Sequence, residues 1–232
     1  MIAVTSFSPE GYKIYGEACL KTLNRWPCKF IVYYEQKPDF ESPNIEYRYL
    51  YDIEGIRAFL EHLRSVDGSS GYMEGRYDYR FDANRFCRKV FCMDTVFDED
   101  WEVFWLDADT LTTKPIPEEF LRNLIKNDPF CYLGRSNFCS ETGFLGFNTD
   151  HKDFKTFRSN YLPTYTSGRF MNLKTWEDAV VFDHARKGLR GNDLNHTALQ
   201  GIDHVWPYTV LGQYMEHLKG GRKGTISISE TA

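Results

Sequence analysis

The chain has 232 residues, a formal net charge of −5 and a pI near 5.7, with 42% hydrophobic, 16% aromatic and 26% charged residues. That length fits one domain, the apolar and aromatic content excludes a disordered or fibrous chain, and the acidic balance excludes a protein that lives on duplex nucleic-acid phosphate. No apolar run approaches the ~18 residues of a membrane span, and Met1 to Phe7 lack the basic lead-in and apolar core of a secretory signal, so a cytoplasmic location is expected. The six cysteines, Cys19, Cys28, Cys87, Cys92, Cys131 and Cys139, form no CxxC pair and read as buried thiols of a reducing compartment. The sequon Asn195-His196-Thr197 then reads as chance.

Taken in chain order, Ile2 to Phe7 predicts a short buried strand, and Ser8-Pro9-Glu10 gives an N-cap followed by proline in the first turn. Tyr12, Tyr15, Cys19 and Leu23 continue at helical spacing until Pro27. Lys29 to Tyr34 and Ile45 to Leu50 read as strands, and Ile56, Phe59, Leu60 and Leu63 as a helix. This β-α-β-α order predicts an α/β fold with a mostly parallel sheet. Ser65 to Tyr79, rich in glycine and serine, reads as a mobile loop. Phe86, Val90, Met93 and Phe97 mark the buried stripe of the next helix, with Arg85 and Lys89 together beside it; solvated charge is their plain reading. Trp101 to Leu106 is an apolar strand, Pro115-Ile116-Pro117 opens a helix closed near Asp128-Pro129, Phe130 to Leu133 and Gly143 to Asn148 read as strands, and Trp176 to Arg186 as a helix. The tail after His217 is basic and glycine-rich. With no repeat and no linker, one domain is expected over residues 1–232.

The strongest chemical signal is Asp107-Ala108-Asp109-Thr110, directly after the apolar strand. Aspartates cannot sit unpartnered inside a sheet, so they emerge at its carboxyl edge, where open α/β sheets bind ligands. Two carboxylates one residue apart repel unless a cation lies between them, and hard oxygens suit Mn²⁺ or Mg²⁺. Such an ion would stabilise a departing diphosphate. Two chemistries fit a strand-DxD-Thr pattern: glycosyl transfer from a nucleotide sugar, and phosphoryl transfer in the haloacid-dehalogenase style with Asp107 as nucleophile. The mid-chain position of the motif favours the first, because the phosphatase motif usually opens its domain.

Several segments together resemble the GT-A glycosyltransferases: Val4-Thr5-Ser6-Phe7, Tyr79-Arg80-Phe81-Asp82-Ala83, Phe104 to Thr110, Ser140-Glu141-Thr142-Gly143-Phe144-Leu145-Gly146-Phe147-Asn148, and His217-Leu218-Lys219-Gly220. The likeness is closest to uncharacterised glycosyltransferases of bacteria and phages. It implies a Rossmann-like sheet flanked by helices, with residues 1–110 as the nucleotide-binding half and 111–232 as the acceptor half and basic tail. It implies a nucleotide-diphosphate sugar donor, a UDP-sugar first among them, and a glycan or other hydroxyl acceptor. By position, Thr5, Ser6 and Phe7 would border the nucleobase, Arg85 and Lys89 would face the diphosphate or sugar, and Ala108 would lie between the metal-binding aspartates. His217 with Lys219 and Gly220 resembles the end of family 8 glycosyltransferases, where the histidine is a third metal ligand and a nearby lysine binds phosphate. The tryptophan and proline that follow that lysine in family 8 are absent here, which leaves the stereochemistry open.

The tail also reads this way on its own chemistry. His217 offers an imidazole, Lys219, Arg222 and Lys223 offer cations to phosphate, and Gly220, Gly221 and Gly224 let backbone N–H groups approach an anion. The segment is expected to order over the donor; a solvated basic terminus is the plain alternative. For the acceptor hydroxyl, Asp178 at a predicted helix start and Glu141 before Gly143 are the candidate catalytic carboxylates, although acids in a first turn also complement the helix dipole. Tyr165, Trp176 and Trp206 are candidates for stacking on sugar rings or for the core. The expected function is a metal-dependent, hexosyltransferase-like enzyme. A phosphatase, or a sugar- or nucleotide-binding module without turnover, stands as the alternative.

Overall fold

A computed structural model describes residues 1–196 and 203–219. The chain enters on β1 (Ile2–Phe7), and the Ser8 side chain accepts the Gly11 N–H at 3.1 Å to start α1 (Pro9–Gly11). A π-helical turn, Tyr12–Gly16, joins α1 to α2 (Glu17–Thr22). Strands β2 (Lys29–Tyr34) and β3 (Ile45–Tyr49) and helix α3 (Ile56–Leu63) follow. The segment expected to be a loop contains a hairpin of β4 (Tyr72–Met73) and β5 (Arg76–Tyr77). Its turn residues Glu74 and Gly75 have φ of 50° and 79°, the left-handed pair that matches strand twist in a two-residue hairpin.

The Asp82 carboxylate accepts the Arg85 N–H at 3.1 Å and caps α4 (Ala83–Val96). Next come β6 (Glu102–Leu106), β7 (Thr110–Thr112), α5 (Glu118–Ile125), β8 (Phe130–Leu133) and β9 (Glu141–Asn148). Helix α6 (Phe154–Thr166), which the sequence reading did not find, precedes α7 (Asp178–Ala185), β10 (Asn192–Asp193) and β11 (Met215–His217).

Seven strands form the central sheet in the order β10-β8-β9-β6-β1-β2-β3. All neighbours are parallel except β9, which runs antiparallel to β6 and β8. The expected α/β fold with a mostly parallel, helix-flanked sheet is what forms. Strand periodicity sorts the side chains into two cores. Val4, Val103, Trp105, Leu145 and Phe147 face one side with α3, α4, α6 and α7. Ala3, Phe104, Leu106 and Phe144 face the other with α2, α5 and Trp206. Burial on both faces explains why the strands read as continuous apolar runs.

This topology positions the site. Because β1 and β6 are parallel and in register from Ile2↔Val103 to Val4↔Trp105, Phe7 and Asp107 emerge at the same carboxyl edge. A second, two-stranded sheet pairs β7 with β11 antiparallel, setting His217 opposite Thr110. No helix among the described residues is long and apolar enough to cross a membrane.

Candidate functional site

At the carboxyl edge lies a cleft of about 570 Å³ lined by Ser6, Phe7, Tyr15, Arg85, Lys89, Asp107, Ala108, Asp109 and Asp178, among others. Asp107 leaves β6 with its N–H bonded to the Gly143 carbonyl at 2.7 Å, and its own carbonyl accepts the Thr110 N–H at 3.1 Å. That turn presents both aspartates to the cleft. Asp107 receives the indole N–H of Trp105 at 2.5 Å and the Lys89 ammonium at 3.2 Å. The Asp109 carboxylate lies 3.0 Å from His217 Nε2. The Leu218 N–H donates to the Asp109 carbonyl at 2.8 Å, so the backbone itself docks the histidine strand on the motif. One ligand atom from each of Asp107, Asp109 and His217 lies within 4.8 Å of the others. Two carboxylates and an imidazole at that spacing are a chemically suitable donor set for a divalent ion.

Charge is balanced tightly around this group. Lys89 is buried; its Nζ lies 2.8 Å from Asp178 Oδ2 and donates to the Thr142 carbonyl at 2.5 Å. Burial alone would depress its pKa, but Asp107 and Asp178 outweigh burial and hold it above the usual lysine value. Burial pushes the Asp107 carboxyl up; Asp109 and Asp178 push the same way, against Lys89. Glu141, buried in β9, has its Oε2 paired with Lys219 and 3.7 Å from Arg135 Nη1. Burial would raise its pKa, yet His217, Lys219 and Arg135 together hold it below the usual carboxylate value. Burial would lower the His217 pKa, and the hydrogen bond to Asp109 with the charge of Glu141 raises it instead. A bound divalent ion would take the place of that imidazole proton.

The residues singled out from sequence fall into distinct places. Thr5 is buried within β1, whereas Ser6, Phe7, Arg85, Lys89 and Ala108 line the cleft. Asp178 lines it too, at the start of α7, accepting from the Thr142 hydroxyl at 2.7 Å. Glu141 is not among the cleft-lining residues; it sits behind the aspartates, against His217 and Lys219. Gly220, Arg222 and the rest of the basic tail, and hence its ordering over a donor, lie outside the described residues.

Of the two readings for the three aromatic candidates, sugar stacking and core packing, the structure gives core packing. Tyr165 and Trp206 are fully buried and Trp176 is 9% exposed, so all three pack in the cores. Sequence reading also missed Glu35 and Arg88, which line the cleft 3.6 Å apart. The signal existed: Glu35 follows the apolar strand β2 much as Asp107 follows β6.

No protein-family model matches the sequence, and no curated protein matches it. Among solved structures, mouse xyloside xylosyltransferase 1 aligns with a TM-score of 0.50 at 12% identity, covering 98% of this chain and 100% of that one. The chain shares that fold. The glycosyltransferase GlyE of Streptococcus pneumoniae aligns with a TM-score of 0.47 at 15% identity over 82% of this chain. The bifunctional glycosyltransferase WbbM aligns with a TM-score of 0.44 at 12% identity over 80% of this chain. This chain spans 44% of the length of GlyE and 37% of WbbM.

Proposed function

We propose that this chain is a metal-dependent glycosyltransferase that takes a sugar from a nucleotide-diphosphate donor, UDP-sugars first, and passes it to a hydroxyl acceptor. The observation that carries this reading is the Asp107, Asp109 and His217 donor set at the carboxyl edge of the sheet, beside a cleft of about 570 Å³. The shared xylosyltransferase fold supports it. Residues 1–110 would supply the nucleotide-binding half, with Thr5 to Phe7 near the base, and residues 111–232 the acceptor half and the tail with Lys219, Gly220 and Arg222. Mn²⁺ or Mg²⁺ at the donor set would neutralise charge on the departing diphosphate.

In the transfer, the bond between the sugar anomeric carbon and the diphosphate oxygen breaks, and its electron pair leaves with the nucleoside diphosphate. The acceptor oxygen bonds to that carbon, and its proton passes to a carboxylate. Asp178 and Glu141 are the proposed catalytic carboxylates, and Asp178 is the one that borders the cleft. Lys89 would hold Asp107 and Asp178 in place from below, and Arg85 would meet the diphosphate or sugar.

The test is thermal unfolding with nucleoside diphosphates, with and without Mn²⁺. At ~100 times Kd, ligand adds about 2.7 kcal/mol. Stabilisation by UDP or another diphosphate is expected only with metal, and is expected to fall sharply in Asp109→Asn while the unliganded protein keeps its fold. Equal affinity in Asp109→Asn would remove the metal role. A phosphorylated Asp107 in mass spectra after incubation with a phosphate ester would replace the transferase reading by a phosphatase.

A further inference from the structure

Four large apolar side chains stand exposed in the short stretch before α4: Tyr72 at 60%, Met73 at 42%, Tyr77 at 49% and Tyr79 at 52%. Single exposed rings are ordinary, but a cluster marks a surface with a use. The backbone is built to hold this one. The β4–β5 turn is of the tight left-handed kind. The Asp78 N–H donates to the Gly71 carbonyl at 2.8 Å. The Tyr77 ring lies so close to Gly71 that a Cβ there would meet it at 2.6 Å. Tyr72 and Tyr77 face each other across the strands with ring centroids 5.1 Å apart.

The patch runs into the cleft. Tyr77 and Asp82 both line it, and the Tyr77 hydroxyl donates to Asp82 at 3.0 Å. At its other end the hairpin is tied to the segment bearing Asp178. The Trp176 N–H donates to the Arg80 carbonyl at 2.7 Å, and the Trp176 ring packs edge-on against Phe81 at 5.4 Å. Thus a continuous set of contacts joins the exposed tyrosines to the cleft and to the segment bearing Asp178.

We propose that the β4–β5 hairpin, although it belongs to residues 1–110, adds an acceptor subsite to what residues 111–232 supply, and that the acceptor is a saccharide whose pyranose face stacks on Tyr72 and Tyr77. This rests on the transferase reading. A pyranose ring has an apolar C–H face and a rim of hydroxyls, so it needs an aromatic plate bordered by fixed hydrogen-bonding groups. The carboxylates of Asp78 and Asp82 and the guanidinium of Arg80 supply such a border. An anionic membrane would need a cationic excess beside the rings. Here Arg76, Arg80 and Arg85, the last beside Tyr77, are matched by Glu74, Asp78 and Asp82, so the cationic excess that such a surface needs is not there.

The test labels methionine methyl groups with ¹³C and follows the Met73 resonance, assigned with Met73→Leu, during titration with maltose, cellobiose, lactose and chitobiose. A saturable shift with at least one disaccharide is expected. Tyr72→Ala is expected to weaken that binding about fivefold, the worth of one ring stack, while Tyr72→Phe keeps it. Nucleoside diphosphate binding with Mn²⁺, measured separately, should be equal in all three proteins. No Met73 shift with any of the four sugars would overturn the proposal. So would co-sedimentation with phosphatidylglycerol vesicles in place of sugar binding, or equal affinity in Tyr72→Ala. Failure of nucleotide binding alone would instead remove the transferase reading, and the sugar titration would still report on the hairpin.

Discussion

Among the described residues, Lys89 is the one cation ion-paired with both Asp107 and Asp178, with the Trp105 ring 5.0 Å from its ammonium. Removing one member of a buried ion pair leaves uncompensated charge and costs ~3–5 kcal/mol. Asp107 keeps about a third of its side chain exposed, so Lys89→Met is expected at the low end, about 3 kcal/mol, read as a lower urea midpoint. A midpoint within error of wild type would mean that the ion pairs of Lys89 add nothing to stability. Glu102, at the start of β6, makes the opposite case. Its side chain is 1% exposed, neither oxygen accepts a hydrogen bond, and Arg122 Nε stands 3.3 Å away on a half-exposed side chain. Burial pushes its carboxyl up, and Arg122 offsets this only in part. A carboxyl raised in the folded state favours folding below the unfolded carboxyl pKa and loses that contribution as pH rises through the folded value. Glu102→Gln should therefore melt higher than wild type at pH 7, with the gap closing toward pH 4. A gap that widens on acidification would contradict the assignment.

Among the elements, β9 has two glycines that separate stability from site geometry. A Cβ at Gly146 would meet Phe104, Cys131 and Ile125 at 2.7–2.9 Å. Overpacking of this kind costs ~1–3 kcal/mol, so Gly146→Ala should lower the melting temperature and leave Mn²⁺ affinity unchanged. A Cβ at Gly143 would meet His217 Cε1 at 2.9 Å. Gly143→Ala should thus displace the imidazole and weaken Mn²⁺ binding by calorimetry more than it lowers melting; the reverse order would place His217 outside the donor set. These elements also show what a sequence discloses. Strand β6 and its aspartates were legible because the apolar run Val103 to Leu106 ending in two acids has few folded solutions. Helix α6 was not, although Phe154, Phe157, Tyr161 and Tyr165 form a buried helical stripe; Pro163 inside it reads as a stop. Strands β7 and β11 are three residues each and form only because tertiary pairing brings them together. The hairpin is not legible in the sequence because its glycines signal turns while its exposed tyrosines belong to no core.

For the whole molecule, two cores on opposite faces of one sheet place the six thiols in graded shelter: all are free, and Cys28 and Cys139 alone are partly exposed. Burial raises the Cys139 thiol to about 11 and the Cys28 thiol to about 12. Under a disulfide reagent at pH 8, these two should label first and slowly. Cys19, Cys87, Cys92 and Cys131 should label together at the rate of global unfolding, followed by peptide mass spectrometry. Early labelling of Cys87 or Cys92 would show that the α4 side opens independently. The pairing of β7 with β11 sets His217 against Asp109 across 108 positions of sequence, and this has a meaning for the chain as it is made. Ribosomes add ~5–20 residues per second, so the two aspartates precede their imidazole by roughly 5–20 s. During that interval the nascent polypeptide carries the whole β1-to-β6 framework and two of the three side chains of the proposed donor set. On the proposed metal reading, competence to hold an ion would therefore arrive late in synthesis, and a product cut short before β11 would lack the third side chain of the group.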